Sequence, residues 1–436
     1  MQNRIIKNAS WIVVCKIVQS ALGLIISMFS ARYLGPQNFG VINYAASIVA
    51  FALPLMQLGL RSILVNEFIQ RPSSEGKILG TALGLNLLSA IACMIGIVTF
   101  VSIINKGETT TLIVCALYTL SLLFQAFEMI QYWFQAKLLS KYTSLISLLA
   151  YLVVSLYKIF LLVTQKSVYW FAMAQTIDYG IIAFFSLMIY KKLGGQELSF
   201  SIRDGSKMLS KSKHYIISGM MVTIFAQTDR LMLKNMIDDV ATGYYSAAVT
   251  CAGLANFVFS AIIDSMRPVI LEEKKRSQKA YETNIALLFS ITFYLSLFQC
   301  ICVTLFAEPI IMILFGVEYV PSISALRVVV WYVTYSYFGS VRNVWILAEE
   351  KQKYLWIINV SGALLNIVLN IKLIPQYGII GASLASFVTQ FFTNFVLGFI
   401  VKPIRDCNRL MIVGINPKFA LREIKKVIKY KRGDQL

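Results

Sequence analysis

Ten ionisable residues lie inside otherwise apolar stretches of this 436-residue sequence. The basic ones are Lys16, Arg61, Lys158, Arg230, Arg327 and Arg342. The acidic ones are Glu128, Asp178, Asp229 and Asp264. A charged side chain is costly in hydrocarbon and usually has a function there. The excess of bases predicts a site for an anion, since a guanidinium offers a planar fork of donors that fits phosphate oxygens.

Each of these residues has a structural alternative to a binding role. Arg61, Asp264 and Arg342 lie within about two helical turns of predicted helix ends, where long side chains reach the interface. Asp264 could also simply pair with Arg61. Asp229 and Arg230 are adjacent, so on a helix they face about 100° apart. We expect Arg230 to face a cavity and Asp229 to pair elsewhere.

The composition predicts that lipid surrounds most of this chain. Hydrophobic residues make up 58% of the sequence and charged residues only 14%, whereas soluble domains carry about 25% charged residues. Continuous apolar runs of roughly 20 residues are typical of membrane-crossing helices. We predict an all-α membrane protein with twelve spans at 10–31, 40–65, 78–104, 110–135, 143–164, 168–190, 213–236, 241–265, 283–306, 322–348, 354–374 and 378–401. The apolar stretch between the ninth and tenth spans is too short to cross, and we interpret it as interfacial or re-entrant.

The basic residues predict the orientation of these spans. With both termini in the cytoplasm, 29 of the 40 Lys and Arg residues fall in inside segments and five in outside segments. Cytoplasmic loops carry such an excess of positive charge. The net charge of +19 is therefore explained by topology and anionic lipid headgroups, and nucleic-acid binding is not expected. We predict a multi-pass protein of the cell inner membrane.

The sequence contains no arrangement that predicts an enzyme, a metal site or a cofactor. His214 is the only histidine, and most of the seven cysteines lie in apolar helices, where a free thiol acts as a small hydrophobe. A phosphate-binding Gly-x-x-x-x-Gly-Lys-Ser/Thr loop is missing from the sequence. A membrane-embedded polysaccharide polymerase or ligase remains an alternative, although the predicted outside loops are short.

The two halves of the sequence look related. A shift of 203 positions aligns residues 40–46 (GVINYAA) with 243–249 (GYYSAAV), and it also aligns the starts of the first and seventh spans. Parallel repeats of this kind are common in transporters, with the substrate between them. The predicted domains are therefore a six-helix bundle at 1–190, a cytoplasmic linker at 191–212, a second bundle at 213–401 and a basic tail at 402–436.

Three motifs resemble those of one transporter family, the Wzx-type polysaccharide flippases of the multidrug/oligosaccharidyl-lipid/polysaccharide exporter superfamily. Residues 31–40 (ARYLGPQNFG) are similar to an ARxLGPxxFG turn of that family. The DRLML of 229–233 with the later GYYSAA, and LFGVEY at 314–319, resemble two further family segments. One departure is Lys234-Asn235, which stands where the family often has glycine.

The resemblance implies a flippase that moves an undecaprenyl-pyrophosphate-linked oligosaccharide, for O-antigen or a similar polymer, to the outer leaflet by alternating access. It implies two pseudo-symmetric bundles around a central V-shaped cleft, and the polymerase and chain-length machinery as partners. The cationic cleft residues would be Lys16, Arg61, Arg230, Arg342 and Lys158. Candidates for ion coupling are Asp178, Asp229, Glu128 and Asp264. The main alternative is a multidrug or cation antiporter of the same superfamily.

Overall fold

The computed structural model describes residues 2–423, and within them all side chains except those of residues 2–17, 21 and 218. All regular structure in this range is helical, since a chain in lipid must satisfy its backbone hydrogen bonds internally. The α-helices are α1 (Gln2–Met56), α2 (Leu64–Gln70), α3 (Glu75–Ile104), α4 (Thr109–Thr119), α5 (Ser121–Gln125), α6 (Ile130–Ala136), α7 (Ser140–Val163), α8 (Val168–Lys192), α9 (Ile202–Met236), α10 (Asp239–Ala252), α11 (Asn256–Arg276), α12 (Gln278–Leu305), α13 (Ala307–Leu314), α14 (Ser322–Ala348), α15 (Leu355–Phe391), α16 (Leu397–Ile400) and α17 (Arg405–Ile415).

Among the described residues, eight helical stretches are long and apolar enough to cross a membrane. Two of them, Val18–Met56 and Gln352–Ile400, have 39 and 49 residues, about twice what one crossing needs. Each contains one glycine with non-helical backbone angles, Gly35 with φ 68° and Gly378 with φ 57°. Glycine adopts such positive φ values readily because it has no Cβ atom. Each stretch therefore holds two predicted spans. The two remaining predicted spans coincide with α9 and α14, so the predicted all-α membrane fold is confirmed.

The chain divides into two compact units, Met1–Gly243 and Tyr244–Leu436, called here the N-terminal and C-terminal units. Helix α9, predicted to open the second bundle, lies in the N-terminal unit and packs along α1. Within the segment 191–212, predicted to be a linker, α9 begins at Ile202, so the second part of this segment is helical. The predicted basic tail contains α17, and its residues beyond 423 lie outside the described part.

An ionic network of five residues fixes the first turns of α9 to α2 and α3. Lys211 Nζ lies 2.6 Å from Glu67 Oε1, and Asp204 accepts hydrogen bonds or ion pairs from Arg71 at 3.1 Å and Lys77 at 3.0 Å. Arg71 also pairs with Glu67. Burial opposes ionisation of Glu67, but hydrogen bonds from Lys211 and Arg71 outweigh it and lower its pKa. The network explains why this segment is helical and ordered instead of a free linker.

The network predicts a loss of stability in acid. Hydrogen bonds from Lys77 and Ser201 hold the pKa of Asp204 at about 2, below its ordinary value of 3.8. Its stabilising contribution is therefore complete above about pH 4 and is lost as the pH falls towards 2. We expect Asp204→Asn to destabilise the protein by on the order of 1 kcal/mol at pH 7. Thermal unfolding in detergent should show this difference narrowing below pH 4, and a constant difference down to pH 2 would contradict the assignment.

Helices α1 and α10 cross at two glycines that the repeat alignment superimposes. A Cβ atom added to Gly40 would lie 1.8 Å from the carbonyl oxygen of Asp239, and one added to Gly243 would lie 2.0 Å from the carbonyl oxygen of Pro36. Both the glycines and the carbonyls are separated by 203 residues. The crossing is thus nearly twofold, and it depends on the absence of side chains, as close helix contacts in membranes often do.

Substitution of either glycine should destabilise the N-terminal unit. A methyl group at Gly40 or Gly243 would clash with backbone, so we expect Gly40→Ala and Gly243→Ala each to lower the free energy of unfolding by about 3 kcal/mol, the upper end for overpacking. The measurement is thermal unfolding of the purified protein in detergent. Gly96→Ala is the matched control, because Gly96 is also helical and a Cβ there meets nothing within 4 Å. An equal effect of all three changes would argue against the crossing.

Candidate functional site

Arg61 borders a cavity of about 430 Å³ inside the N-terminal unit, called here the Arg61 cavity. The cavity lies between the second half of α1 and α9, and Arg61 stands on the short 3-10 turn Leu60–Ser62 that follows α1. Besides Arg61, the lining has polar groups from Gln57, Ser62, Tyr215, Thr223 and Gln227 among apolar residues. The turn is possible because Gly59 adopts φ 66°. An exposed guanidinium is therefore held at the mouth of a membrane-embedded cavity.

A second cavity of about 220 Å³, called the Arg230 cavity, adjoins the first. The two share Ala50, Leu53 and Gln227 in their linings. Arg230 Nη1 donates to Gln227 Oε1 at 3.2 Å. The other polar lining residues come from α1, α4, α5 and α8: Asn43, Ser47, Tyr118, Gln125, Gln175 and Tyr179. Two cationic side chains thus border one connected, polar region.

Gln125 gives the Arg230 cavity an acceptor atom that nothing in the described chain satisfies. Its Nε2 donates to Ser121 Oγ at 3.0 Å, whereas its buried Oε1 has no hydrogen-bond partner among the described residues. Opposite groups are better satisfied, since Tyr118 Oη donates to Gln175 Oε1 at 3.3 Å. A buried acceptor of this kind costs about 1–3 kcal/mol unless water or a ligand donates to it. Gln125 is therefore an unsatisfied polar residue in the lining of the Arg230 cavity.

Two predicted acids of the N-terminal unit, Glu128 and Asp178, each interact with one predicted cation. Glu128 interacts electrostatically with Arg61 and with Asp178, and Asp178 interacts with Lys158. Glu128 belongs to a short 3-10 stretch that interrupts the fourth span between α5 and α6. The structure thus brings four predicted residues into one group. Lys158 is in the lining of neither cavity and acts on Asp178 instead.

The other predicted residues of this unit are placed differently. Asp229 is buried, with 6% of its surface exposed, and it is absent from the cavity linings. The adjacent Arg230 reaches the second cavity, as expected for neighbours on a helix. The side chain of Lys16 lies outside the described residues, so its predicted role stays a prediction.

Arg342 makes a structural contact, and its predicted role in the cationic cleft stays a prediction. It is buried in the C-terminal unit, with 5% exposed, and its Nη1 donates to the carbonyl oxygen of Thr393 at 2.7 Å. Thr393 lies in a π-helix, Phe392–Val396, where backbone carbonyls lose their regular partners. The guanidinium thus stabilises a local distortion of the last span. Arg342 is also outside the lining of the cavity described next.

A cavity of about 290 Å³ in the C-terminal unit is lined by α11 and α14. We call it the serine cavity, and its polar lining residues are Asn256, Ser260, Asp264, Arg267, Ser336, Tyr337 and Ser340. Asp264 Oδ1 lies 3.2 Å from Arg267 Nη2, one helical turn away. The predicted acid Asp264 is therefore partnered on its own helix.

Sequence reasoning missed the buried ion pair of Lys234. Lys234 Nζ lies 2.6 Å from both Glu108 Oε2 and Asp239 Oδ2, and only 3% of its side chain is exposed. Burial opposes ionisation of Glu108, but its hydrogen bond from Lys234 outweighs this and lowers its pKa. Lys234 stands where the family often has glycine, and this difference could have indicated the ion pair, because a buried cation needs acidic partners. The three residues lie at the glycine crossing of α1 and α10.

A comparison with known families decides the classification. Residues 5–274 match the family described as "Polysaccharide biosynthesis protein". This chain belongs to that family. The resemblance noted in the three sequence motifs is thus confirmed at the level of the family.

One relative and two solved structures are similar to this chain over most of their length. The capsular polysaccharide biosynthesis protein CapF of Staphylococcus aureus is 21% identical over 395 residues, 88% of this chain and 96% of that protein. The lipid II flippase MurJ in an inward closed conformation is similar with a TM-score of 0.72 at 16% identity, over 93% of this chain and 90% of that one. An inward-facing multidrug resistance MATE family transporter has a TM-score of 0.66 at 15% identity, over 90% and 95% of the two chains. The structural likenesses show the fold.

The buried position of Lys234 in this family member predicts a large effect of its removal. Lys234→Met would leave two carboxylates without their shared cation, and breaking a buried pair in this way costs about 3–5 kcal/mol. We expect thermal unfolding in detergent to show this loss, while the exposed Lys106→Met serves as the control. Adding Asp239→Asn to Lys234→Met should recover part of the loss, since one unpaired charge is removed. A double variant less stable than Lys234→Met would contradict the ion-pair account.

Proposed function

We propose that this protein is a flippase for a lipid-linked oligosaccharide whose headgroup contains pyrophosphate. The observation that carries the proposal is the pair of guanidinium groups, Arg61 and Arg230, on adjoining cavities within the N-terminal unit. Arginine binds phosphate oxygens through two parallel donors, and such charge-assisted hydrogen bonds are about twice as strong as neutral ones. The site is therefore suited to a phosphate-bearing headgroup.

The proposal answers a physical problem of lipid transport. A pyrophosphate and a hydrated sugar cannot enter hydrocarbon without losing their hydration, which is prohibitive for an unpaired anion. A polar, cationic path replaces that hydration while the polyprenyl chain stays in the bilayer. The amide and hydroxyl groups of the Arg230 cavity supply neutral donors and acceptors beside the cation. A central cleft that opens alternately to each side would complete the path.

Relatives support this class of substrate. The family description refers to polysaccharide biosynthesis, and the printed name of the staphylococcal relative refers to capsular polysaccharide. The name of the structural neighbour MurJ refers to the flipping of a lipid. We therefore propose undecaprenyl pyrophosphate as the carrier and a cell-surface polymer, O-antigen or capsule, as the product.

The charge distribution supports an orientation of the protein in the membrane. With both termini in the cytoplasm, the excess of Lys and Arg falls on inside segments. We propose that the protein lies in the cell inner membrane and moves its substrate from the cytoplasmic to the outer leaflet. The polymerase and chain-length machinery of the same pathway would then take over the product.

Ion coupling, if the transport uses it, would involve the acids beside the cations. Glu128 interacts with Arg61, and Asp178 with Lys158. Protonation of either acid would strengthen the local positive field and thus the attraction for an anion. Asp229 is buried and Asp264 is paired with Arg267, so we propose Glu128 and Asp178 as the coupling candidates.

Deletion of the gene, followed by analysis of undecaprenyl-linked intermediates, tests the function. Loss of a flippase should cause a complete repeat unit to accumulate on the cytoplasmic leaflet. A truncated unit would instead identify an enzyme of assembly. Unchanged intermediates together with a new sensitivity to cationic drugs would support the antiporter alternative.

Charge-removing variants test the site in the complemented deletion strain. We expect Arg61→Gln and Arg230→Gln each to reduce transport at least about tenfold, since a hydrogen bond to a charged group contributes about 1.5–3 kcal/mol. Arg61→Lys and Arg230→Lys should retain more activity, because they keep the charge but not the fork. Arg327→Gln is the matched control, as Arg327 is exposed on α14 and outside the described cavities. Normal transport by both glutamine variants would refute the site.

A further inference from the structure

The serine cavity has a chemistry unlike that of the two cavities in the N-terminal unit. Its wall carries hydroxyl groups from Ser260, Ser336 and Ser340 and the amide of Asn256. The charges at Asp264 and Arg267 are paired with each other, so the cavity carries little net charge. Such a surface offers many donors and acceptors but no field that would select an anion.

The internal repeat relates the serine cavity to the Arg61 cavity. Three positions on the second span of each half contribute to the cavity of their own unit. The paired positions, 203 residues apart, are Leu53 and Asn256, Gln57 and Ser260, and Arg61 and Asp264. Equivalent positions thus line a cavity whose described lining has a cation and no acid in one unit and a neutral polar cavity in the other. The two repeats have diverged in the ligand chemistry that they present.

The wall of the serine cavity is rigid. Phe259 and Tyr337 stack with ring centroids 3.7 Å apart and an angle of 15°, and both rings are buried. Tyr337 Oη donates to Asn256 Oδ1 at 2.6 Å, which fixes the orientation of the amide at the cavity wall. Ser340 Oγ donates to the carbonyl oxygen of Ser336 at 3.3 Å. Polar groups held in place in this way bind with a smaller loss of entropy than mobile ones.

We propose that the serine cavity is the subsite for neutral sugar residues of the transported lipid, an inference that rests on the proposed flippase function. Sugar hydroxyls are both donors and acceptors, which matches serine, tyrosine and asparagine side chains. The volume of about 290 Å³ is at the lower end of small-molecule sites, which hold roughly 300–1,000 Å³. It fits a short part of a glycan.

Two lipid probes separate this subsite from the phosphate site. The full-length protein in nanodiscs is titrated with undecaprenyl pyrophosphate and with undecaprenyl-pyrophosphoryl-N-acetylglucosamine. We expect the sugar-bearing lipid to bind about tenfold more tightly, because two added hydrogen bonds contribute about 0.5–1.5 kcal/mol each. The double variant Ser260→Ala/Ser336→Ala should bring this ratio close to one and leave the affinity for the sugar-free lipid unchanged.

A matched double variant and one arginine variant complete the design. Ser265→Ala/Ser324→Ala removes one serine from each of α11 and α14 outside the cavity, so its ratio should equal that of the wild type. Arg230→Gln should weaken both lipids equally and keep the ratio. An unchanged ratio in Ser260→Ala/Ser336→Ala, or a ratio of one in the wild type, would overturn the sugar subsite alone. Failure of the wild type to bind either lipid would overturn the proposed function and the subsite together.

Discussion

The cost of a charge in hydrocarbon determines where the ionisable side chains of this protein lie. An unpaired charge in the membrane costs at least about 2.5–3.5 kcal/mol, so each one needs a partner, a cavity or a route to water. Lys234 has two carboxylates, and Arg342 has a backbone carbonyl in a π-helix. Arg61 and Arg230 border the two adjoining cavities of the N-terminal unit, and Arg267 borders the serine cavity beside Asp264. The same constraint thus places each of these cations beside a carboxylate, a backbone carbonyl or a cavity.

The helices were predictable because their signal is local. Apolar runs of membrane length predict a helix wherever they occur, and all twelve predicted spans coincide with helices. The assignment of α9 to the N-terminal unit was not predictable from such local signals. It depends on contacts between distant residues, such as Lys211 with Glu67, which no periodicity reveals. The start of α9 at Ile202 could not be predicted for the same reason, since ion pairs with distant residues stabilise the polar first turns of this helix.

The candidate site was predictable in its residue types and less so in its geometry. The list of intramembrane charges included Arg61, Arg230, Glu128 and Asp178, which the structure brings into one region. Sequence alone could not show that Arg342 donates a hydrogen bond to a backbone carbonyl, because the direction of a side chain depends on the surrounding helices. Neutral polar residues in a membrane helix indicate a binding site even less clearly than charged ones do. The serine cavity became visible only when α11 and α14 were seen side by side.

The crossing of α1 and α10 has the form of a homodimer contact inside a single chain. Gly40 meets the carbonyl of Asp239 and Gly243 meets that of Pro36, so each partner uses the same patch. Such reciprocity defines an isologous interface, the kind that joins two identical subunits about a twofold axis. An ancestor with one copy of this motif would already have possessed a surface complementary to itself. Gene fusion would then have freed the two copies to acquire different side chains elsewhere without losing their mutual fit.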